Sequence, residues 1–280
     1  MKPASFDYVR PRTIAEALAA VSDGSPGARI LAGGQSLVPM LNLRLSSATL
    51  LVDIKQISEL RQATESVDTV IFGACVRHGE IEDGVVPDPA IGMMRYVARH
   101  LAYRAVRNRG TIGGSVALAD PSADWLTVLH SLGATYRVEG PAGERTIATD
   151  GMFGGPYTTA LASSDILTAI VVPKLTRGAR WGYYKVIRKA GEYPVTIASV
   201  VIDPGRTLCS VVLGGNDREP LRLKLAAGTL LEMHHWSADV ENRLRRAIRA
   251  DFVAADRGET FYQAKLAETA VLRAANKAMG

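Results

Sequence analysis

Two paired-glycine turns constrain this chain more than any other feature. They read Ala32-Gly33-Gly34-Gln35-Ser36 and Thr111-Ile112-Gly113-Gly114-Ser115, about 80 residues apart. Glycine has no Cβ, so consecutive amides can turn toward one point. A neighbouring Ser or Thr adds a neutral donor, and the result is a concave nest suited to phosphate oxygens. Where such a turn opens a helix, free amides and the helix dipole strengthen it, the dipole by typically about 0.3–1 kcal/mol for a charged partner. One Gly-Gly pair is ordinary turn chemistry, whereas two matched ones can embrace a single diphosphate from both sides. Neither is the G-x-G-x-x-G of a dinucleotide fold or the G-x-x-x-x-G-K-[ST] of a P-loop. Lys2 is the sole lysine before Lys55, so no P-loop clamp is at hand.

The 280 residues suffice for two cores of unequal size. A hydrophobic fraction of 47% with only 6% aromatics means that aliphatic side chains fill them. Cys75 and Cys209 are the only cysteines, too few for a four-cysteine iron-sulfur or zinc site. His234-His235 lacks a nearby acidic or thiol partner and is weak evidence for a metal. The net charge of +5 is spread thinly. The runs Arg95 to Arg109 and Arg243 to Arg249 read as solvated helix faces, with an anion site or acidic partner as the other reading; nucleic acid calls for a denser excess. No signal peptide and no spanning segment is apparent, so cytoplasmic residence is the expected default.

Thr13 and Glu16 form a capping box for a first helix over Ala17 to Val21, ended by the turn Asp23 to Gly27. Strands are expected at Arg29 to Ala32, Leu50 to Ile54 and Thr69 to Ala74, with a brief helical turn at Ile57 to Leu60. Apolar residues at helical spacing predict a helix over Ile91 to Val106. Another follows at Trp125 to Leu132, begun by Asp124 or Ser122. Tyr136 to Glu139 and Glu144 to Ile147 make a hairpin, and Ile166 to Val172 closes the first large domain. Beyond it, three strands, Tyr183 to Arg188, Val195 to Ile202 and Thr207 to Leu213, precede helices at Asp239 to Ala250 and Glu259 to Ala278. The fold class is thus α+β, with a smaller C-terminal part in which a three-stranded antiparallel sheet is covered by helices.

The glycine motifs, with Phe6 to Pro11, Leu51 to Ile54, Val106 to Gly110, Ala119 to Asp124, Tyr184-Lys185 and Gly191-Glu192-Tyr193, resemble the FAD-binding medium subunit of the molybdenum hydroxylases. That family includes the carbon monoxide dehydrogenase flavoprotein and the FAD domain of xanthine dehydrogenase. The resemblance is nearly end to end. It implies a two-part FAD-binding domain of the vanillyl-alcohol-oxidase-like type over residues 1–174, with subdomains of about 1–58 and 59–174, and a C-terminal domain over 175–280. Ala32, Gly33, Gly34, Gln35 and Ser36 match the first diphosphate loop. Thr111, Ile112, Gly113, Gly114 and Ser115 match the second. Asp124 matches the acidic residue at the ribityl or neighbouring part of FAD, and Asp165, Leu167 and Lys185 match further contacts. Tyr193 matches an aromatic near the isoalloxazine that helps regulate access to it. The family also implies a large subunit with the molybdenum cofactor and a small subunit with [2Fe-2S] clusters, in a dimer of heterotrimers. Association with the inner membrane face through that complex stays open.

Tyr103 and Leu118 stand where relatives often carry His, Gln35 where some have His, and Ser115 where others have Asn. Read without the family, Asp124 is a helix cap, Tyr193 a surface aromatic and Lys185 a solvated strand lysine, while Asp53 receives backbone amides at a strand end. Of Tyr183 and Tyr184, at most one can face a cofactor. His78 and Glu80 lack a nucleophile or metal and read as surface residues. This poverty of acid-base groups assigns the chemistry to a cofactor. The expected function is therefore an electron-transfer flavoprotein subunit. A stand-alone flavin oxidase or dehydrogenase and a cofactor-free assembly protein are the alternatives.

Overall fold

The computed structural model describes residues 2–22, 27–215, 217–233, 235–256 and 260–280. The turn over 23–26, His234 and Glu259 lie outside the described residues. The chain opens with β1 (Asp7–Val9), α1 (Ile14–Ser22), β2 (Ala28–Leu31), α2 (Leu37–Asn42) and β3 (Leu50–Asp53). These strands form a parallel sheet in the order β1-β3-β2. The Glu16 amide donates to Thr13 Oγ1 at 3.1 Å and the Glu16 carboxylate accepts from the Arg12 amide at 2.7 Å, so the cap expected for α1 is present. Asp53 closes β3 buried, accepting from the Lys55 amide and the Tyr8 hydroxyl.

The second layer runs β4 (Ala63–Glu65), β5 (Thr69–Gly73), α3 (His78–Glu82), α4 (Met93–Arg99), α5 (Arg104–Arg107), α6 (Ile112–Leu118) and α7 (Asp124–Leu132). It continues through the hairpin β6 (Thr135–Gly140) and β7 (Gly143–Ala148), α8 (Thr149–Met152), the short pair β8 (Phe153–Gly155) and β9 (Thr158–Thr159), and β10 (Ile166–Pro173). Its five-stranded sheet has the order β4-β5-β10-β6-β7, antiparallel throughout. The single helix expected over Ile91 to Val106 is broken into α4 and α5. His100 ends the first, and Ala102 takes a positive φ of 35°. The Arg107 guanidinium then donates to the Leu101 and Ala102 carbonyls, satisfying the acceptors that the break exposes.

The third layer is a meander, β11 (Arg180–Val186), β12 (Thr196–Asp203), β13 (Leu208–Gly215) and β14 (Arg218–Arg222), with α9 (Lys224–Leu231), α10 (Ala238–Ala254) and α11 (Phe261–Met279). The sheet has four strands, not the three expected, because Arg218–Arg222 pairs with β13. Its charged ends and Pro220 hid a half-buried edge strand, the one place where a missing amide donor is tolerated. α9 was likewise not anticipated. All nine residues of α7 are buried, and it packs on both β12 and β13. β12 is buried along its whole length because α7 covers one side and α11 the other. Ser131 of α7 and Ser199 of β12 satisfy each other across that interface at 2.6 Å.

The covering helix α11 approaches β11 at Gly182, where a Cβ would overlap the Ala274 carbonyl. The obstacle is backbone on both sides, so neither can yield by a rotamer change. Overpacking of this kind costs about 1–3 kcal/mol. Gly182→Ala is expected to lower the urea midpoint accordingly at unchanged m-value, and an unaltered midpoint would show that α11 does not press on this strand.

Candidate cofactor site

A cavity of about 640 Å³ lies where the three layers meet, within the roughly 300–1,000 Å³ of small-molecule sites. The first glycine turn, residues 32–36, lines it between β2 and α2. Gly34 has φ +72°, so a side chain there would be strained. Among the described residues, the amides of residues 33–37 meet no acceptor. Five consecutive donors on cavity-lining residues thus have no partner among the described residues, and such donors call for an acceptor.

The second turn behaves differently. The Ile112 amide donates to the Val76 carbonyl and the Gly113 amide to the Ala74 carbonyl, each at 3.0 Å. The Gly114 amide donates to Thr111 Oγ1 at 3.0 Å and the Ser115 amide to the Thr111 carbonyl at 3.1 Å. The two turns are therefore not equivalent as nests, because the Ala74 and Val76 carbonyls occupy two of these donors and Thr111 the other two. Thr111, Gly113, Gly114 and Ser115 still line the cavity, but Ile112 does not; its side chain is fully buried in the main core. The glycines of this turn serve close approach. A Cβ on Gly113 would come within 2.5 Å of the Ala74 carbonyl, and one on Gly33 would overlap the Arg109 carbonyl and lie 2.7 Å from the Gly110 Cα. The two turns consequently rest on one another.

Asp124, the first residue of α7, is buried and lines the cavity. The N-cap is Ala123, so Asp124 is not the cap that its position suggested. Its Oδ1 accepts from the Tyr183 hydroxyl and, at 2.8 Å, from Lys185 Nζ. Lys185 Nζ also donates to the His100 carbonyl at 2.8 Å, so it is a buried, positioned group and not a solvated strand lysine. Burial and the Asp124 carboxylate hold the Tyr183 phenol well above its ordinary pKa, which keeps it a donor. Asp124 Oδ2 has no protein partner among the described residues and is left to the cavity.

Leu167 contributes apolar wall. Asp165 also lines the cavity, yet both its oxygens are engaged: Arg145 grips it in a fork, and the Ala162 amide donates to Oδ2 at 2.6 Å. Its carboxylate thus shapes the 162–165 turn. Tyr193, 66% exposed, lines the cavity together with Ser36 of the first turn. Tyr103 and Leu118 line the cavity as well, Tyr103 packed on Gly191. Residues not singled out from sequence include Arg29, Trp125 and the 159–163 segment. His78, expected at the surface, is buried at the cavity instead, because it opens α3 directly beneath Gly110.

The sequence family described as the FAD binding domain in molybdopterin dehydrogenase matches residues 4–175. The chain belongs to that family. It is similar, at 33% identity over 99% of its own length and 98% of the relative's, to the carbon monoxide dehydrogenase medium chain of Hydrogenophaga pseudoflava. A second relative, the 6-hydroxypseudooxynicotine dehydrogenase complex subunit alpha of Paenarthrobacter nicotinovorans, is 33% identical over 100% of this chain and 96% of that one. Among solved structures, a carbon monoxide dehydrogenase from Hydrogenophaga pseudoflava superposes with a TM-score of 0.90 at 32% identity, covering 99% of this chain and 98% of that one. This medium subunit is accordingly the FAD-binding electron-transfer component of a heteromeric molybdenum hydroxylase. Among the described residues no helix is long and apolar enough to cross a membrane.

Two buried histidines make the flavoprotein's stability pH-dependent. Burial, aided by Arg107, pushes His78 down to about 3, and burial with Arg222 pushes His130 to about 4, against the opposing pull of Asp150. An unfolded histidine binds its proton near pH 6.5, whereas these two resist it when folded. Stability is thus whole above roughly pH 6.5 and falls as the pH drops toward the folded values, by on the order of 2–3 kcal/mol per pH unit for the pair. Urea midpoints of the cofactor-free chain between pH 7 and 5, above the range where most carboxylates titrate, should decline steadily. His130→Asn should flatten that slope by about half; a midpoint indifferent to pH would remove the assignment.

Proposed function

We propose that the cavity holds FAD, with its diphosphate on the unpaired amides of residues 33–37 and Asp124 facing its ribityl portion. The reading is supported chiefly by that run of unpartnered donors opposite an unpartnered carboxylate oxygen. Neutral amides can hold a diphosphate without the desolvation cost of burying extra cations. Ser36 and Ser115 add hydroxyl donors, and Thr111 fixes the second turn against the first. Gly113 and Gly114 keep that turn close, while Ile112 anchors it from the core. Lys185 and Tyr183 aim Asp124 by holding one of its oxygens. Leu167 and the turn fixed by Asp165 exclude water along the opposite wall, and Tyr193 screens the mouth. On this reading the fold is of the vanillyl-alcohol-oxidase-like type, with residues 1–174 as cofactor domain and 175–280 as the domain that completes the wall.

Bound FAD supplies redox chemistry that exchanges electrons singly with iron-sulfur clusters and in pairs with an external acceptor. The protein's own part is to bind, orient and shield it. A large subunit carrying the molybdenum cofactor and a small one carrying [2Fe-2S] clusters complete the complex, a dimer of heterotrimers in the cytoplasm. The full-length likeness to medium chains favours this over a stand-alone flavin oxidase, and the unpaired amides favour it over a cofactor-free assembly protein.

The purified complex should show a flavin spectrum together with iron and molybdenum, and the lone chain should bind FAD yet turn over no organic substrate. Gly33→Ala pushes the turns apart and is expected to weaken FAD binding by tenfold or more, measured by flavin fluorescence on the cofactor-free chain. Asp124→Ala should weaken it by about tenfold, the scale of one hydrogen bond to a charged group. Retention of full affinity in both variants would place FAD elsewhere.

A further inference from the structure

His78 is 8% exposed and belongs to no pair or network that the cofactor assignment has used. Its ring is fixed on two sides. Trp125 Nε1 donates to His78 Nδ1 at 3.1 Å. Its other edge lies against Gly110, where a Cβ would come within 2.9 Å of both Cδ2 and Nε2. The His78 amide donates to the Gly110 carbonyl at 3.0 Å, locking the contact.

These contacts decide the tautomer. An indole N–H can only donate, so Nδ1 must present its lone pair, and the ring proton sits on Nε2. Nε2–H meets no acceptor among the described residues and is not among the sealed polar atoms, so it keeps accessible surface on a ring that lines the cavity. It is therefore a neutral donor on a residue more than nine-tenths buried, left without a protein acceptor among the described residues. Gly110 is also the residue on which Gly33 rests, so this donor lies beside the turn whose amides are unpaired.

We propose that His78 is a further cofactor-binding residue, donating Nε2–H to a diphosphate oxygen of FAD at the junction of the two glycine turns, with Trp125 as the positioning residue that fixes its tautomer. Burial and Arg107 keep the ring uncharged at neutral pH, so it adds a hydrogen bond without adding a buried cation. An uncharged donor suits the same logic as the five amides. The inference rests on the assignment of FAD to this cavity.

The test uses the full-length chain stripped of flavin and titrated with FAD and, separately, with ADP, which shares the diphosphate. His78→Phe should weaken both ligands about tenfold or more, and His78→Gln, which keeps a donor, should recover part of the loss. Trp125→Phe should weaken both by a smaller factor. Nitrogen-15 spectra of His78 should show a neutral ring protonated on Nε2, with and without FAD. Should His78→Phe fail to fold, the Gln and Trp125 variants and these spectra decide. Affinities within twofold of wild type overturn the proposal, as does a loss confined to FAD with ADP unaffected, or a bound ring protonated on Nδ1. Failure of the wild-type chain to bind FAD would instead overturn the cofactor assignment on which it rests.

Discussion

The contact on which the rest depends is backbone against backbone: Gly33 of the first layer on Arg109 and Gly110 of the second. No side chain intervenes, so a parallel three-stranded sheet and an antiparallel five-stranded one are held at the separation that frames the cavity of about 640 Å³. Gly113 repeats the device against Ala74. There the carbonyls of Ala74 and Val76 engage the second turn's amides and make it a rigid shelf. The first turn, braced on that shelf, keeps its own donors unpaired. The two motifs look alike as sequence, yet one has its amides engaged and the other does not.

Charge within the cavity is arranged with similar economy. Lys185 is committed to Asp124, and Asp165 to Arg145, so two buried carboxylates are neutralised without offering a free acid or base. The first turn adds five amides without a partner among the described residues, Asp124 one unpartnered carboxylate oxygen and His78 an uncharged imidazole. Preorganised dipoles of this kind need no rearrangement as the charge on a bound group changes.

Much of this was legible in the sequence because it is local. The Thr13–Glu16 cap, the Tyr136–Ile147 hairpin and the glycine turns are set by residues a few positions apart. What was missed depends on distant partners. The engagement of the Ile112 and Gly113 amides was hidden because their acceptors, Val76 and Ala74, lie some forty positions upstream. Asp165 looked available until Arg145 came to it across the hairpin, and His78 looked exposed until Gly110 and Trp125 closed over it. The helix over Ile91 to Val106 kept its apolar rhythm through the break, since periodicity does not record a positive φ at Ala102. The edge strand β14 offered neither alternation nor β-branched residues.

One wall of the cavity comes late in the chain. Lys185 and Tyr193 follow the whole of the two N-terminal layers, and Tyr183, which steadies Asp124, lies on the same strand as Lys185. During synthesis, where N-terminal units fold first at about 5–20 residues per second, both glycine turns can be in place while Asp124 still lacks its two holders. A ribosome must therefore deliver residue 193 before the pocket is closed on that side. That side of the cavity is completed only when residues 183–193 are in place, and a chain truncated after β10 would carry both glycine turns without it.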